Sequence, residues 1–314
     1  MEKQYYTPIL LLIFNRPDIT KLMMESLKKI KPKYLFVAAD GPRKEKEGES
    51  QLCEDTRKAV TDNVNWECEM KTFFRDENKG LKIAVKEAID WFFDNVEQGI
   101  ILEDDIVGSP AFFDFCEINL ERYKNDERIM LISGFNHLEK WNTTDDYFFS
   151  RIGAIWGWAT WKRAWKLNYN NPLDWNKAKN INLFENIFPY YSQYALDSLH
   201  RVFENTFNGS YNSWAYIWTF YRIINSGLSI IPNENLVKNI GFGGAATHIR
   251  RSDQILQSLK KYNPDYSDIK HPLFIVPNIE FDLKVDETYN RPKKKKKRLI
   301  KRIKNRVKIL IGRA

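Results

Sequence analysis

The apolar run Gly99-Ile100-Ile101-Leu102 passes without a break into Glu103-Asp104-Asp105. A strand covered on both faces accommodates Ile and Leu. Three adjacent acids are too costly to bury unpaired. The strand must therefore stop here and present its acids to a cleft. Two or three carboxylates at one strand end make a hard-oxygen site suited to Mg²⁺ or Mn²⁺, which take one or two protein carboxylates and fill the other positions with phosphate oxygens and water. The plainer alternative is a solvated acidic turn.

The surrounding pattern bears on that choice. Residues 8–14 form a continuous apolar run, as expected of a strand in a parallel sheet. Asn15-Arg16-Pro17-Asp18 breaks the run, and Pro17 suits the first turn of a helix. Helical spacing follows over 19–30, placing Leu22, Met23, Ser26, Leu27 and Ile30 on one face. A second strand is predicted over 34–39, ending at Asp40-Gly41, then a polar helix over 56–64 and a third strand over 70–74. The segment 82–96 reads as an amphipathic helix with Ile83, Val85, Ala88, Ile89 and Phe92 inward. A fourth strand is predicted over 99–102, a helix capped by Ser109 ahead of Pro110, and a fifth strand over 129–133. This alternation predicts an α/β fold with a mainly parallel, Rossmann-like central sheet flanked by helices. Ligands of such sheets sit beyond the carboxyl ends of strands. Asn15-Arg16, Asp40-Gly41 and Glu103-Asp104-Asp105 all fall at such ends, which predicts one shared cleft.

The chain of 314 residues carries a formal net charge of +8, unevenly spread. From Arg291 onward there are 13 Lys/Arg and no acid, while the rest holds 36 Lys/Arg against 41 Asp/Glu. The body is therefore acidic, and the basic character belongs to the tail. Cys53, Cys68 and Cys116 form neither a disulfide framework nor a zinc pattern, which fits a reducing compartment. The apolar run near the start is too short for a signal peptide or a membrane span. A cytoplasmic location is expected.

The middle third is rich in aromatics. Residues 151–175 hold Trp156, Trp158, Trp161, Trp165 and Trp175. A Trp offers a flat apolar face and one N–H donor, suited to stacking on a sugar or to packing a core. Helices are expected within 176–212 and over 211–224 around Trp214 and Trp218, then a short strand over 229–232. A glycine-rich loop, 241–248, ends at His248. In the tail, Leu299, Ile300, Ile303, Val307, Leu310 and Ile311 fall at helical spacing between basic residues. Such a basic amphipathic helix suits the surface of an anionic membrane. The plainer reading is a lysine-biased disordered tail; nucleic acid is not the expected partner.

Together these segments resemble nucleotide-sugar glycosyltransferases of the GT-A fold, especially the branch containing N-acetylglucosaminyltransferase I and its bacterial relatives. The similar stretches are Phe14-Asn15-Arg16-Pro17, Ala39-Asp40-Gly41, Leu102-Glu103-Asp104-Asp105 with Pro110 and Phe112-Phe113, Gly157-Trp158 with Trp161, and Gly244-Ala245-Ala246-Thr247-His248. The resemblance implies a GT-A domain over 1–250, with a nucleotide-binding half at 1–135 and an acceptor half at 136–250. An extension at 251–290 and the membrane-associating tail at 291–314 would follow.

It also implies roles. Asn15 and Arg16 would approach the nucleoside or its phosphates, and Asp40 would accept from the base edge, unless it is simply the turn residue before Gly41. Lys79 and Lys82 would face the diphosphate or stay solvated. Asp104 would orient the donor sugar or ribose. Asp105, with His248, would hold Mn²⁺ or Mg²⁺. Trp156, Trp158 and Trp214 would contact acceptor or sugar. The implied reaction is metal-dependent transfer from a nucleotide-sugar donor, first UDP-N-acetylglucosamine, to a glycan acceptor with inversion. The acceptor would be lipid-linked, for bacterial surface polysaccharide or glycolipid synthesis, with the enzyme at the inner face of the inner membrane. In the family pattern an acid precedes a Trp behind the tryptophan segment. Here Ser213 stands in that place before Trp214, and serine is no general base at neutral pH. Asp174 and Asp197 are the alternative acids. Two other classes fit strand-end carboxylates: a sugar nucleotidyltransferase and a non-catalytic carbohydrate-binding relative. The first would be expected to carry a glycine-rich basic loop where this chain has Phe14-Asn15-Arg16-Pro17.

Overall fold

The computed structural model describes residues 4–168, 171–241, 256 and 258–289. His248 and the basic tail lie outside them. The chain is an α/β fold: an eight-stranded mixed sheet flanked by helices on both faces, with a two-stranded ribbon at one end.

The first half alternates strictly. Strand β1 (Ile9–Ile13) leads to α1 (Pro17–Ile30), β2 (Tyr34–Ala39), α2 (Glu49–Thr61), β3 (Glu69–Phe74), α3 (Leu81–Asn95) and β4 (Gln98–Glu103). A short β5 (Ile106–Gly108) follows, then α4 (Pro110–Arg122) and β6 (Ile129–Ser133). The second half adds β7 (Tyr147–Ser150), β8 (Trp158–Trp161), α5 (Lys162–Trp165), α6 (Pro172–Asn180), α7 (Leu183–Ile187), α8 (Gln193–Phe207), α9 (Trp214–Ile224), β9 (Leu228–Pro232), β10 (Val237–Asn239) and α10 (Ile279–Tyr289).

The sheet order is β3-β2-β1-β4-β8-β6-β9-β7. Strands β3, β2, β1 and β4 run parallel to one another, and so do β6 and β9, while β8 and β7 run against their neighbours. The ribbon pairs β5 with β10.

Side-chain alternation sorts the core into two layers. Ile9, Leu11 and Ile13 of β1 pack with Met23, Met24 and Leu27 of α1 and with Phe112 and Phe115 of α4. Leu10 and Leu12 point the other way, onto Val85, Ala88, Ile89 and Phe92 of α3 and a tryptophan cluster. In β4, Ile100 and Leu102 join the first layer and Ile101 the second. The next alternate residue, Glu103, thus falls on the α3 side.

Some boundaries and faces differ from expectation. Helix α2 begins at Glu49, ahead of the predicted 56–64 segment, because Glu49 is itself tied into the fold. Leu22 and Ile83 are exposed, and Met24 is buried instead of Leu22. Ser109 is the N-cap residue of α4, but its side chain makes no capping hydrogen bond. No helix among the described residues is long and apolar enough to cross a membrane.

Candidate functional site at the strand ends

Strands β2, β1 and β4 lie side by side, so their carboxyl ends open into one place. A cavity of about 270 Å³ sits there, between the sheet and the first turns of α3. Its apolar walls come from Leu12 and Ala38 on the strands and from Ala84, Val85 and Ala88 on the helix. Its polar rim carries Arg16, Asp40, Arg43, Arg75, Glu103 and Asp104. A largely apolar cavity with cations and carboxylates among its lining suits an apolar ring joined to an anionic group.

Arg16, just past β1, spans the two aspartates. Its Nη1 donates to Asp105 Oδ2 at 3.1 Å and its Nη2 to Asp104 Oδ1. Both aspartates are buried, whereas Arg16 is partly exposed. The second oxygen of Asp105, Oδ1, is buried with no hydrogen-bond partner among the described residues. Burial pushes the Asp104 carboxyl up to about 6, against the pull of Arg16. Burial, then the charges of Asp105 and Asp104, push Glu103 up to about 7. Crowded carboxylates held above their ordinary range are short of positive charge.

The approach to Asp105 is shaped by the start of the glycine-rich loop. Ile240 N–H donates to the Asp105 carbonyl at 2.8 Å. A Cβ at Gly241 would stand 2.3 Å from Asp105 Oδ2 and 2.9 Å from Arg16 Nη1. Glycine is required by that close approach.

Asp40 is occupied by the backbone. Its carboxylate accepts from the N–H groups of Gly41, Lys79 and Gly80 at 2.9–3.1 Å. It thereby fastens the end of β2 to the loop leading into α3. Gly41 packs so close to the Asp76–Glu77 backbone that a Cβ would meet it at 2.4 Å. Lys79 is exposed and Lys82 half-buried, and neither lines the cavity. Arg43 and Arg75 hold the rim positions instead.

Asn15 works through Glu49. Its Nδ2 donates to Glu49 Oε1 at 2.9 Å. Arg43 pairs with the same carboxylate and donates its backbone N–H to it at 2.7 Å. These hydrogen bonds from Arg43, reinforced by Asn15, pull Glu49 down to about 2. The Asn15–Glu49–Arg43 network fixes the β1 end against α2 and aims Arg43 at the cavity. Sequence reasoning missed it, because no local spacing joins these three residues.

The acceptor-half residues are dispersed. Trp158 and Trp214 are buried in the core, stacked on each other with ring centroids 6.1 Å apart. Trp156 packs edge-on to Phe135 and lines a second, larger cavity. Ser213 is the N-cap of α9, its Oγ accepting from Tyr216 N–H. Asp174 accepts from Tyr221 Oη at 3.0 Å. Asp197 is exposed and accepts from Gln193 at 2.9 Å. Neither acid lines the strand-end cavity. No cluster of three or more His, Cys, Asp or Glu suited to a metal occurs among the described residues.

No protein-family model matches the chain, and no curated protein matches it. Solved structures overlap it in part. One is a mannosyltransferase from Pyrobaculum calidifontis in complex with GDP-Man and Mn²⁺, at 12% identity and a TM-score of 0.31, over 52% of this chain and 46% of the neighbour. The chain thus spans about half the length of that mannosyltransferase. Another is assigned as a glucose-1-phosphate thymidylyltransferase from Bacillus anthracis, in complex with a sucrose, at 9% identity and a TM-score of 0.37, over 82% and 97% of the two chains. A third is a mannose-1-phosphate geranyltransferase from Thermus thermophilus, at 11% identity and a TM-score of 0.33, over 76% of each chain. Each is named as a transferase, but at TM-scores below 0.5 the overlaps carry no argument about this chain.

Proposed function

We propose that this chain is a divalent-metal-dependent glycosyltransferase that takes a sugar from a nucleoside diphosphate donor. The observation that supports it most is Asp105. This buried carboxylate, with one oxygen unpartnered among the described residues, is bonded to Arg16 and adjoins Asp104, both of which line the apolar slot. The residues present fit Mg²⁺ or Mn²⁺: Asp105 offers a free oxygen, Asp104 adjoins it, and donor phosphates with water fill the remaining positions of such an ion. When bound, the ion would act as a Lewis acid that offsets charge on the departing diphosphate.

In this reading the slot between the strands and α3 takes the nucleobase. Asp40 keeps the α3 loop in place beside it and is the proposed contact to the base edge. Arg43 and Arg75 lie where the phosphates emerge. Arg16 turns from the aspartates toward the diphosphate as the donor arrives. Lys79 and Lys82 lend a more distant positive field, and Asp104 orients the ribose or the donor sugar.

The finer proposals rest on the resemblance. The donor is a UDP-sugar, first UDP-N-acetylglucosamine, and the relationship is to the N-acetylglucosaminyltransferase I branch. His248 completes the metal shell. Trp156 stacks on the acceptor. The acceptor is lipid-linked, the transfer inverts, and the 291–314 tail holds the enzyme on the cytoplasmic face of a bacterial inner membrane. Asp174 or Asp197 is the acid proposed to take the acceptor proton, the step an inverting transferase must catalyse.

A panel of UDP-sugars incubated with Mn²⁺ tests the reading. Release of UDP from one member is the expected result. Pyrophosphate release from a nucleoside triphosphate plus a sugar 1-phosphate would instead indicate nucleotidyl transfer. Binding without turnover in either assay would indicate a carbohydrate-binding relative.

A further inference from the structure

The second cavity, about 570 Å³, lies between the 151–156 segment, α8, α9 and α10. Its walls are mostly apolar and include Ile155, Trp156, Phe188, Leu199, Val202 and Ile223. Against them stands Arg222 of α9, which is only 1% exposed. Its Nη1 donates to Ser229 Oγ at 2.5 Å and its Nη2 to the Gly153 carbonyl at 3.5 Å. No ion pair joins Arg222 to any described carboxylate, and its Nε is buried without a hydrogen-bond partner among the described residues. A guanidinium has five N–H donors, so most of this one's capacity is unused by the described residues. Burial alone drives its pKa down to about 10, and no neighbouring acid opposes the shift.

A second orphan faces the same space. His137 lines the cavity, and its Nδ1 is buried without a partner among the described residues. Burial lowers its pKa to about 4, so it is neutral. Asp286, also in the lining, has an interaction of its own. An uncompensated buried charge is among the costliest features a fold can keep. An anion that enters with an apolar body satisfies both the guanidinium and the walls.

We propose that this cavity is a binding site for an anionic amphiphile, a phosphate carried on a prenyl or acyl chain, with Arg222 holding the phosphate. The cavity's Trp156–Phe135 wall lies next to Gly134 and Gly157, whose backbones are joined at 2.8 Å. Gly157 in turn packs toward Ile106 and Val237 of the ribbon strands that flank Asp105. The phosphate of a lipid-linked acceptor would thus sit on the acceptor side of the strand-end site. That last identification rests on the transferase reading; the binding itself does not.

Isothermal titration calorimetry on the full chain, without metal or nucleotide, separates the possibilities using farnesyl phosphate, farnesol and inorganic phosphate. The expected result is at least tenfold tighter binding of farnesyl phosphate than of farnesol or phosphate. Arg222→Met should bring farnesyl phosphate to the level of farnesol. Thr219→Phe, which fills the cavity without removing the charge, should abolish both. Equal affinity for farnesyl phosphate and farnesol, or a preference that survives Arg222→Met, overturns the proposal. Inorganic phosphate binding as tightly as farnesyl phosphate also overturns it and leaves a small-anion site. If Arg222→Met fails to fold, Thr219→Phe decides: lost binding supports the site, and unchanged binding refutes it. Farnesyl phosphate binding without turnover of any UDP-sugar would refute the transferase reading alone. Turnover without such binding would refute this site alone.

Discussion

Arg16 Nη1 lies 3.1 Å from Asp105 Oδ2, so the acid proposed as the metal ligand is neutralised by a side chain from the neighbouring strand end. The same guanidinium reaches Asp104. Removing it leaves two buried carboxylates short of a counter-charge. Arg16→Met should lower stability by about 1–3 kcal/mol, less than a fully buried pair would lose because Arg16 is partly exposed to solvent. The loss should be larger at pH 8, where Asp104 is ionised, than at pH 5, below its raised pKa of about 6. Urea unfolding at the two pH values checks this, and Mn²⁺ should recover part of the loss.

Glu103 and Asp104 set a pH dependence of their own. Their folded-state pKa values, about 7 and about 6, lie above the ordinary carboxylate values. Between the ordinary and the raised values the folded state holds more protons than the unfolded one, so stability falls as pH rises through that window. Glu103→Gln should therefore gain over the wild type, and gain more at pH 7.5 than at pH 5.5, in thermal unfolding without metal. The stabilisation given by Mn²⁺ should grow in the same direction, because protons compete with the ion at low pH.

Asp40 accepts three backbone N–H groups, and Asp40→Ala would leave them without that partner. A cost of about 1–3 kcal/mol is expected, read as a lower unfolding midpoint. Asp40→Asn keeps one acceptor oxygen and should cost less. If Asp40 also reads the base, both variants should weaken UDP binding beyond what their stability loss explains. Calorimetric titration of UDP below the unfolding transition separates the two contributions.

Gly241 leaves no room for a methyl group beside Asp105. Gly241→Ala should displace the Asp105 carboxylate and lower Mn²⁺ affinity by about 10–100-fold, the range typical of disturbed ligand support. Global stability should change little, because Gly241 is only half-buried and follows the short edge ribbon rather than the central sheet. Mn²⁺ titration followed by intrinsic tryptophan fluorescence checks this.

Much of the fold was legible in the sequence because its signals are local. Continuous apolar runs marked β1, β2 and β4, and acids placed directly after β4 announced its end. The antiparallel entry of β8 between β4 and β6 was not legible, since periodicity identifies a strand but not its partner. Leu22 and Met24 illustrate the same limit on a helix: both sit near the edge of one apolar face, and packing against α2 and α4 decides which is buried. At the site, Arg16, Asp104 and Asp105 could be found from strand ends alone. Arg43 could not, because the β2–α2 loop and its pairing with Glu49 bring it to the cavity; Arg75 follows β3 directly, and the strand-end rule would have reached it had it been applied to that strand. Trp158 and Trp214 carried the same compositional signal as Trp156, and only packing separates the two core residues from the one that lines a cavity. Arg222 gave no signal at all, since a lone Arg in an aromatic helix reads as an exposed one.

Asp105 is proposed to hold the divalent ion on which sugar transfer depends. The most direct test is UDP release from the best UDP-sugar of the panel, measured against Mn²⁺ concentration for the wild type and Asp105→Ala. The variant should lose about 10²–10³-fold in kcat/KM, a scale set by removing one electrostatic stabiliser of a developing charge, with the remaining rate insensitive to Mn²⁺. Wild-type activity in Asp105→Ala, with unchanged Mn²⁺ dependence, would contradict it.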